Sequence, residues 1–276
     1  MRAEHALGAR FTTRAETTLA TYLDRILEHH REIADADRRS IDSLLAAAKE
    51  MAPTRGFAGA LRAESALAVI GEIKRRSPSK GDLFADLDPE TLAAAYERGG
   101  ASCLSVLTDA SFFGGSAQDL QSARGACSLP VLRKDFTVGE RDVLDARLMG
   151  ADCLLLIAAA LDKNELLTLH ELANSVGLDV LVEIHDEAEL EVALDAKAGI
   201  IGVNQRDLVT FKVDHERAVR MAALIPTHVV RVAESGVRGQ ADAASLRRAG
   251  YDAVLVGESL VTAADPVAAI AELRVA

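Results

Sequence analysis

The chain has no tryptophan, and its 276 residues include only three tyrosines and seven phenylalanines. Any cluster of aromatic residues in it is therefore informative. Cysteine is almost as scarce. Cys103, Cys127 and Cys153 form an odd set without a CxxC pair and sit in or near apolar runs. That excludes a disulfide framework, argues against a zinc site, and fits a reducing cytoplasm. Cations are in deficit, with 31 Lys and Arg against 42 Asp and Glu and a net charge of −11. This speaks against a general nucleic-acid binder, although a local basic cluster can still hold phosphate. The first residues lack an apolar core of signal-peptide length, and no uninterrupted apolar run approaches the roughly 18 residues of a membrane span. A soluble cytoplasmic protein with no membrane partner is expected. No GxGxxG motif follows the first strand-like run, which weakens a dinucleotide-binding fold.

Residues 1 to 66 read as a polar helical segment. Leu19, Tyr22, Leu23, Ile26 and Leu27 recur at helical spacing, as do Ile41, Leu44 and Leu45. His29-His30-Arg31 reads as a solvated helix face, because adjacent helical residues point apart and give no metal-ligand pair. From residue 67 the pattern changes. Short apolar runs (Ala68–Ile73, Cys103–Leu107, Val131–Arg133, Cys153–Ile157, Val180–Ile184, Ile200–Val203, Val229–Ala233 and Ala253–Val256) alternate with helical stretches. The helices are expected over Pro89–Arg98, Ala117–Arg124, Glu140–Met149, Lys163–Val176, Glu187–Leu194, His215–Leu224, Gln240–Ala249 and Pro266–Leu273. Gly99, Gly125, Gly150, Gly177 and Gly250 are placed to end five of them as C-caps. Strand starts recur roughly every 26 residues, the pitch of a βα unit. Continuous apolar strands imply a parallel sheet covered on both faces. Eight such units predict a single α/β domain, a closed (β/α)8 TIM barrel over 67–276 with an extra helical N-terminal segment over 1–66.

In such a barrel the chemistry sits at the C-terminal ends of the strands, and those ends are densely polar here. The first supplies Glu72 and Lys74, the third Lys134, the fifth Glu183, the sixth Asn204 and Arg206, and the seventh Glu234 and Ser235. Glu72 and Lys74 alone could be a surface salt bridge, and the whole set could be an ion-pair network holding the mouth open. Polar groups at so many ends favour a site. Lys134 and Glu183 come from different strands, which is expected to keep an acid apart from a base. Burial and a neighbouring Lys74 are expected to lower the Lys134 pKa. Glu234-Ser-Gly236 and Gly257-Glu258 supply glycines where many barrels hold phosphate, and Ser77 and Ser79 could add hydroxyl donors. Phe112 and Phe113, Phe136 and Leu208 place apolar surface at the same mouth, which suits a planar substrate.

Glu72-Ile-Lys-Arg-Arg-Ser-Pro-Ser-Lys-Gly81, Leu104-Ser-Val-Leu-Thr108 with Phe113-Gly-Gly-Ser116, Leu132-Arg-Lys-Asp-Phe136, Leu181-Val-Glu-Ile184, Ile201-Gly-Val-Asn-Gln-Arg-Asp-Leu208 and Val232-Ala-Glu-Ser-Gly236 appear in this order. The set resembles the indole-3-glycerol-phosphate synthase family of tryptophan biosynthesis, from about Thr54 onward. The resemblance implies ring closure of 1-(2-carboxyphenylamino)-1-deoxyribulose 5-phosphate with loss of CO₂ and water, without metal or organic cofactor. It implies Lys134 as general acid, Glu183 as base of the dehydration, and Lys74 as partner of the substrate carboxylate that shares acid duty. Glu72 and Asn204 would position the reacting groups, supported by Ser235. Arg206 and Glu234 would join the substrate contacts. Ser77, Gly236, Gly257 and the Glu258 backbone would hold phosphate, with the Glu258 carboxylate turned away. Phe113, Phe136, Leu155 and Leu208 would form the ring pocket. The N-terminal helices would cover part of the barrel and contribute to binding. A monomer or weak homodimer is expected. The alternatives are another phosphate-binding barrel, such as phosphoribosylanthranilate isomerase, and a barrel that binds without catalysis.

Overall fold

The computed structural model describes residues 21–77, 81–84, 86–207 and 212–276. Among the described residues, three helices precede the first strand: α1 (Tyr22–Ala36), α2 (Ile41–Glu50) and α3 (Phe57–Arg62). Each starts where the chain supplies a reason. The Thr21 hydroxyl accepts the Asp24 N–H while the Asp24 carboxylate accepts the Thr21 N–H, a reciprocal cap, and the Ser40 hydroxyl caps α2. Pro53 lies beyond the end of α2, as expected from its missing donor. Leu19 of the predicted apolar stripe lies outside the described residues.

Eight parallel strands then close into a barrel, each hydrogen-bonded to its sequence neighbour and the last to the first. They are β1 (Ala68–Ile73), β2 (Cys103–Leu107), β3 (Val131–Lys134), β4 (Cys153–Ile157), β5 (Asp179–Ile184), β6 (Ile200–Asn204), β7 (Val230–Glu234) and β8 (Ala253–Val256). The connecting helices are α4 (Pro89–Gly99), α5 (Ala117–Ala126), α6 (Glu140–Met149), α7 (Lys163–Ser175), α8 (Glu187–Asp195), α9 (His215–Ala222) and α10 (Gln240–Ala249). A short α11 (Glu258–Val261) and α12 (Pro266–Leu273) follow β8. The strands are buried almost throughout, as their unbroken apolar character requires of a sheet covered on both faces.

Two of the expected glycine caps sit elsewhere. Gly99 is the last residue of α4, and it is Gly100, at φ +88°, that takes the left-handed cap position. Gly125 lies inside α5, which runs on to Ala126 and is capped by Cys127. Gly150 and Gly250 do cap their helices. β3, β6 and β7 each run one residue further than their apolar runs, so Lys134, Asn204 and Glu234 belong to the ladder itself. That matters for function, because a side chain on a hydrogen-bonded strand is held more firmly than one on the loop beyond it. A small antiparallel pair, Arg76–Ser77 with Gly81–Asp82, follows β1, where a plain loop was expected.

The N-terminal segment runs from one end of the barrel to the other. Tyr22, Leu23 and Ile26 of α1 face the cavity at the mouth, and α2 lies against α6. α3 buries Phe57 and Leu61 against β2 and β7. Two carboxylates, the buried Asp152 and the partly buried Asp179, tie the α3 end down. Asp152 accepts the N–H groups of Arg55 and Val131, each at 2.8 Å, and Asp179 accepts that of Ala58 at 2.8 Å. Hydrogen bonds of this kind satisfy the helix-start donors that a buried helix end would otherwise leave bare. Among the described residues no helix is long and apolar enough to cross a membrane.

Candidate active site

The alternation of side chains along each strand turns Glu72, Lys134, Glu183, Asn204 and Glu234 inward at the same end of the barrel. Strand register places Leu107 opposite Lys134, Ile157 opposite Glu183 and Asn204 opposite Glu234, so these residues form one ring. Above it opens a cavity of about 550 Å³. Leu107, Leu155 and Ile157 line its apolar wall, and Ser77, Gly236, Gly257 and Ser259 line its polar side.

Lys134 is the hub. Its ammonium donates to Glu183 Oε2 and to Glu234 Oε2, both at 2.8 Å. Asn204 Nδ2 donates to Glu183 Oε1 at 2.9 Å, while its own Oδ1 accepts the Arg206 N–H at 3.0 Å, which fixes the amide's orientation. The sequence led us to expect an acid held apart from a base and a lysine with a lowered pKa; neither holds. Burial pulls the Lys134 pKa down, but the charges of Glu183, Glu234 and Glu72 outweigh it and hold the ammonium well above the ordinary lysine range. Lys74 does not assist by repulsion, because its ammonium donates to Glu72 Oε1. The two carboxylates around Lys134 diverge. Burial would raise Glu183, yet Lys134, His185 and the Asn204 hydrogen bond hold it low. Glu234 is pushed up by burial and by the charge of Glu183, against the pull of Lys134. Two carboxyl groups sharing one cation are driven apart in this way, and that separation distinguishes a proton carrier from a fixed charge.

Two glycines make room for this array. A Cβ on Gly202 would lie 2.0 Å from Glu234 Oε1, and one on Gly257 would lie 2.2 Å from Glu72 Oε1. Beyond Glu234 the backbone turns sharply. Ser235 is one of two non-glycine residues at positive φ among the described residues, at +66°, and Gly236 follows at +76°. A serine held in the left-handed region costs free energy, and such strain collects at functional sites. Gln205 supports the turn by donating to the Ser235 carbonyl at 2.8 Å.

The remaining candidates fall around the rim. Phe113 and Phe136 stand with ring centroids 6.2 Å apart, and Leu155 is buried in the wall. Arg206 lines the cavity and pairs with Val213 through a backbone bridge. Glu258 is exposed in the first turn of α11 on the rim. Ser79 and Leu208 lie outside the described residues.

Several residues at and behind the mouth escaped sequence reasoning. His29-His30-Arg31 is not a solvated face. His29 contacts Ser111, the His30 Nε2 lies 2.9 Å from Asp109 Oδ2, and Arg31 makes a forked pair with Glu165. The His30 ring also lies 5.3 Å from that of Phe136. Asp109 stands just past the end of β2, so the strand-end rule could have found it. His30, Asp109 and Asp135 bring three potential ligand atoms within 4.8 Å of one another. Those atoms are already engaged: Asp135 Oδ2 is bonded by Thr108 and by Arg133 at 3.0 Å, and Asp109 Oδ1 caps the N–H groups of Phe112 and Phe113. A guanidinium on the same oxygen opposes a divalent cation, so the cluster reads as a strut between α1 and the mouth.

The profile of the indole-3-glycerol phosphate synthase family matches residues 23–273. The chain belongs to the indole-3-glycerol phosphate synthase family. It is 51% identical over 253 residues to the indole-3-glycerol phosphate synthase of Streptomyces griseus subsp. griseus, covering 91% of this chain and 94% of that protein. It is 50% identical over 258 residues to that of Mycolicibacterium vanbaalenii, covering 92% and 94%, and 46% identical over 260 residues to that of Polaromonas naphthalenivorans, covering 92% and 99%. Among solved structures, a thiamine phosphate pyrophosphorylase from Pyrococcus furiosus superposes with a TM-score of 0.56 at 16% identity, over 75% of this chain and 93% of that one. That likeness speaks to the barrel alone. The family match takes in α1 to α3 as well as the barrel, so the helices over the mouth belong to the shared design.

Proposed function

We propose that the mouth of this barrel closes the indole ring of 1-(2-carboxyphenylamino)-1-deoxyribulose 5-phosphate, releasing CO₂ and water to give indole-3-glycerol phosphate. Membership of the synthase family supports the reaction. The observation that carries the mechanism is the position of Lys134, a largely enclosed ammonium between one carboxylate held ionised and a second driven toward the neutral form. Lys134 donates the proton that makes the ribulose carbonyl electrophilic, and the ring carbon attacks. A neutral Glu234 loosens its hold on the ammonium, which lets a strongly held proton leave when substrate enters. Decarboxylation restores the neutral pyrroline. In the last step an ammonium protonates the departing hydroxyl while Glu183 takes the proton that aromatises the ring.

The other residues serve placement. Lys74, with Glu72 beside it, meets the substrate carboxylate. Asn204 fixes Glu183, and Ser235 and Arg206 bound the reacting end. Ser77, Gly236, Gly257 and the Glu258 N–H receive the phosphate, where glycine lets backbone donors approach an anion closely. Phe113, Phe136 and Leu155 flank the ring in a dry wall that strengthens each charge interaction near it. In the test, purified protein is mixed with the substrate in the presence of a chelator, and indole absorbance and CO₂ are followed together. Equal yields of both are expected. Substrate binding without either product would overturn the reading.

A further inference from the structure

His185 lies one residue past the end of β5, outside the cavity lining, and no step above uses it. Its Nε2 is aimed at the back of the base: it lies 3.7 Å from Glu183 Oε1, on the side away from Lys134. The atom is fully buried and has no hydrogen-bond partner among the described residues. The other ring nitrogen, Nδ1, faces Glu189 Oε2 at 3.2 Å, and that same oxygen accepts the His185 N–H at 2.6 Å. Both ring nitrogens therefore point at carboxylate oxygens. A neutral imidazole carries one proton and would turn a lone pair toward one of the two acceptors; an imidazolium satisfies both.

We propose that His185, as an imidazolium bridging Glu189 and Glu183, is a positioning residue that orients the Glu183 carboxylate and keeps it in its basic form. The inference rests on the role given above to Glu183. The charged groups around the ring agree with it. Glu183 on β5 and Glu189 on α8 favour the cation, while Arg217 on α9 opposes it. Lys134 and Glu234 lie beyond Glu183, and the turn Ala158–Ala160 packed against α8 brings no charge. Burial lowers the imidazole pKa, and the two glutamates more than compensate, leaving it above the ordinary histidine value. At 3.7 Å the contact with Glu183 is longer than a hydrogen bond, so it acts through charge. That explains how Glu183 can give both its oxygens to Asn204 and Lys134 and still feel a third donor.

The expected consequence depends on pH in a way that packing alone does not. Where the imidazole is charged, His185→Asn should lower kcat about tenfold and leave KM within about twofold, the size expected from losing a charge within about 4 Å of the base. As pH rises and wild-type His185 loses its proton, the two proteins converge, so the ratio of their kcat values should fall toward about one on the alkaline side of the His185 midpoint. A ratio that stays constant across that midpoint, as read from the titration below, or a change confined to KM, would overturn the proposal. A second measurement needs no turnover. The seven histidines are followed by imidazole ¹⁵N NMR in the full-length wild type, in Glu183→Gln and in Glu189→Gln. The His185 midpoint should fall by about half a pH unit or more in each variant, because each removes one anion facing the ring. An unmoved midpoint in Glu183→Gln refutes the bridge. If the wild type fails to make indole, the reaction assignment falls while the NMR result still decides the bridge.

Discussion

Replacing Lys134 with Met keeps most of the side chain's volume and removes the one cation between Glu183 and Glu234. Those carboxylate side chains are 3% and 2% exposed, so the variant leaves two buried anions facing each other. Breaking a buried pair by deleting one partner costs about 3–5 kcal/mol, and the protein can relieve the strain only by binding a proton. The sign of the pH dependence follows. In the wild type the Glu183 pKa is held below its unfolded value, so its contribution is present above that value and is constant between pH 5 and 7. Without Lys134, burial raises the carboxyl above the unfolded value of about 4.3. Stability is then lost as pH rises from that value toward the new folded one. One extra bound proton corresponds to about 1.4 kcal/mol per pH unit. The gap between wild type and variant should therefore widen from about 1 kcal/mol near pH 5 to about 3–4 kcal/mol near pH 7. Urea unfolding at several pH values measures the gap, and turnover at pH 7 should fall by about 10² or more. Parallel stability curves together with turnover near the wild-type level would refute both the buried array and the acid role.

At the phosphate end, Gly236→Asp puts a charge and a Cβ where φ is +76° and where that Cβ would lie 2.6 Å from Val213. Steady-state kinetics should show KM rising about tenfold or more with a smaller change in kcat; an unchanged KM would move the phosphate elsewhere. At the N-terminal strut, His30→Ala removes the 2.9 Å contact with Asp109 and the ring packing on Phe136. Losing one buried partner of this kind costs about 1–3 kcal/mol of stability. KM should also rise, because Tyr22, Leu23 and Ile26 would no longer be held over the cavity. A variant with unchanged KM and unchanged unfolding midpoint would show that α1 docks without this contact.

How far the chain could be read depended on whether a feature is local. The eight strands were legible because each is a short apolar run followed by a helical period, and one run carries both signals. The candidates that line the mouth were legible because strand ends are fixed points in the sequence, wherever the strands lie in space. The pairing across the barrel was not legible. Lys134 and Glu183 are 49 residues apart, and Lys134 and Glu234 100 apart. Whether such residues meet or stay separate is set by strand tilt and stagger around the closed barrel. Glu72 and Lys74, two residues apart at the end of β1, do pair, as their spacing alone suggested. His29-His30-Arg31 was misread for a related reason. Three charged or polar residues in a row look solvated on an isolated helix, yet their partners, Ser111, Asp109 and Glu165, come from segments more than 75 residues away.

The same distinction explains why the lysine was expected to be weakly held. From sequence, burial and a neighbouring Lys74 were the foreseeable influences on Lys134, and both lower an ammonium's pKa. The fold adds three carboxylates around it and reverses the direction. A proton so firmly held can leave only if the negative charge around it falls when substrate arrives. Glu234 is the member of the array suited to that change, since its carboxyl is already driven toward the neutral form. Its Oε1 is buried with no hydrogen-bond partner among the described residues, and only the missing side chain of Gly202 gives it room. The hold on the Lys134 proton is therefore a property of the whole ring of strand ends.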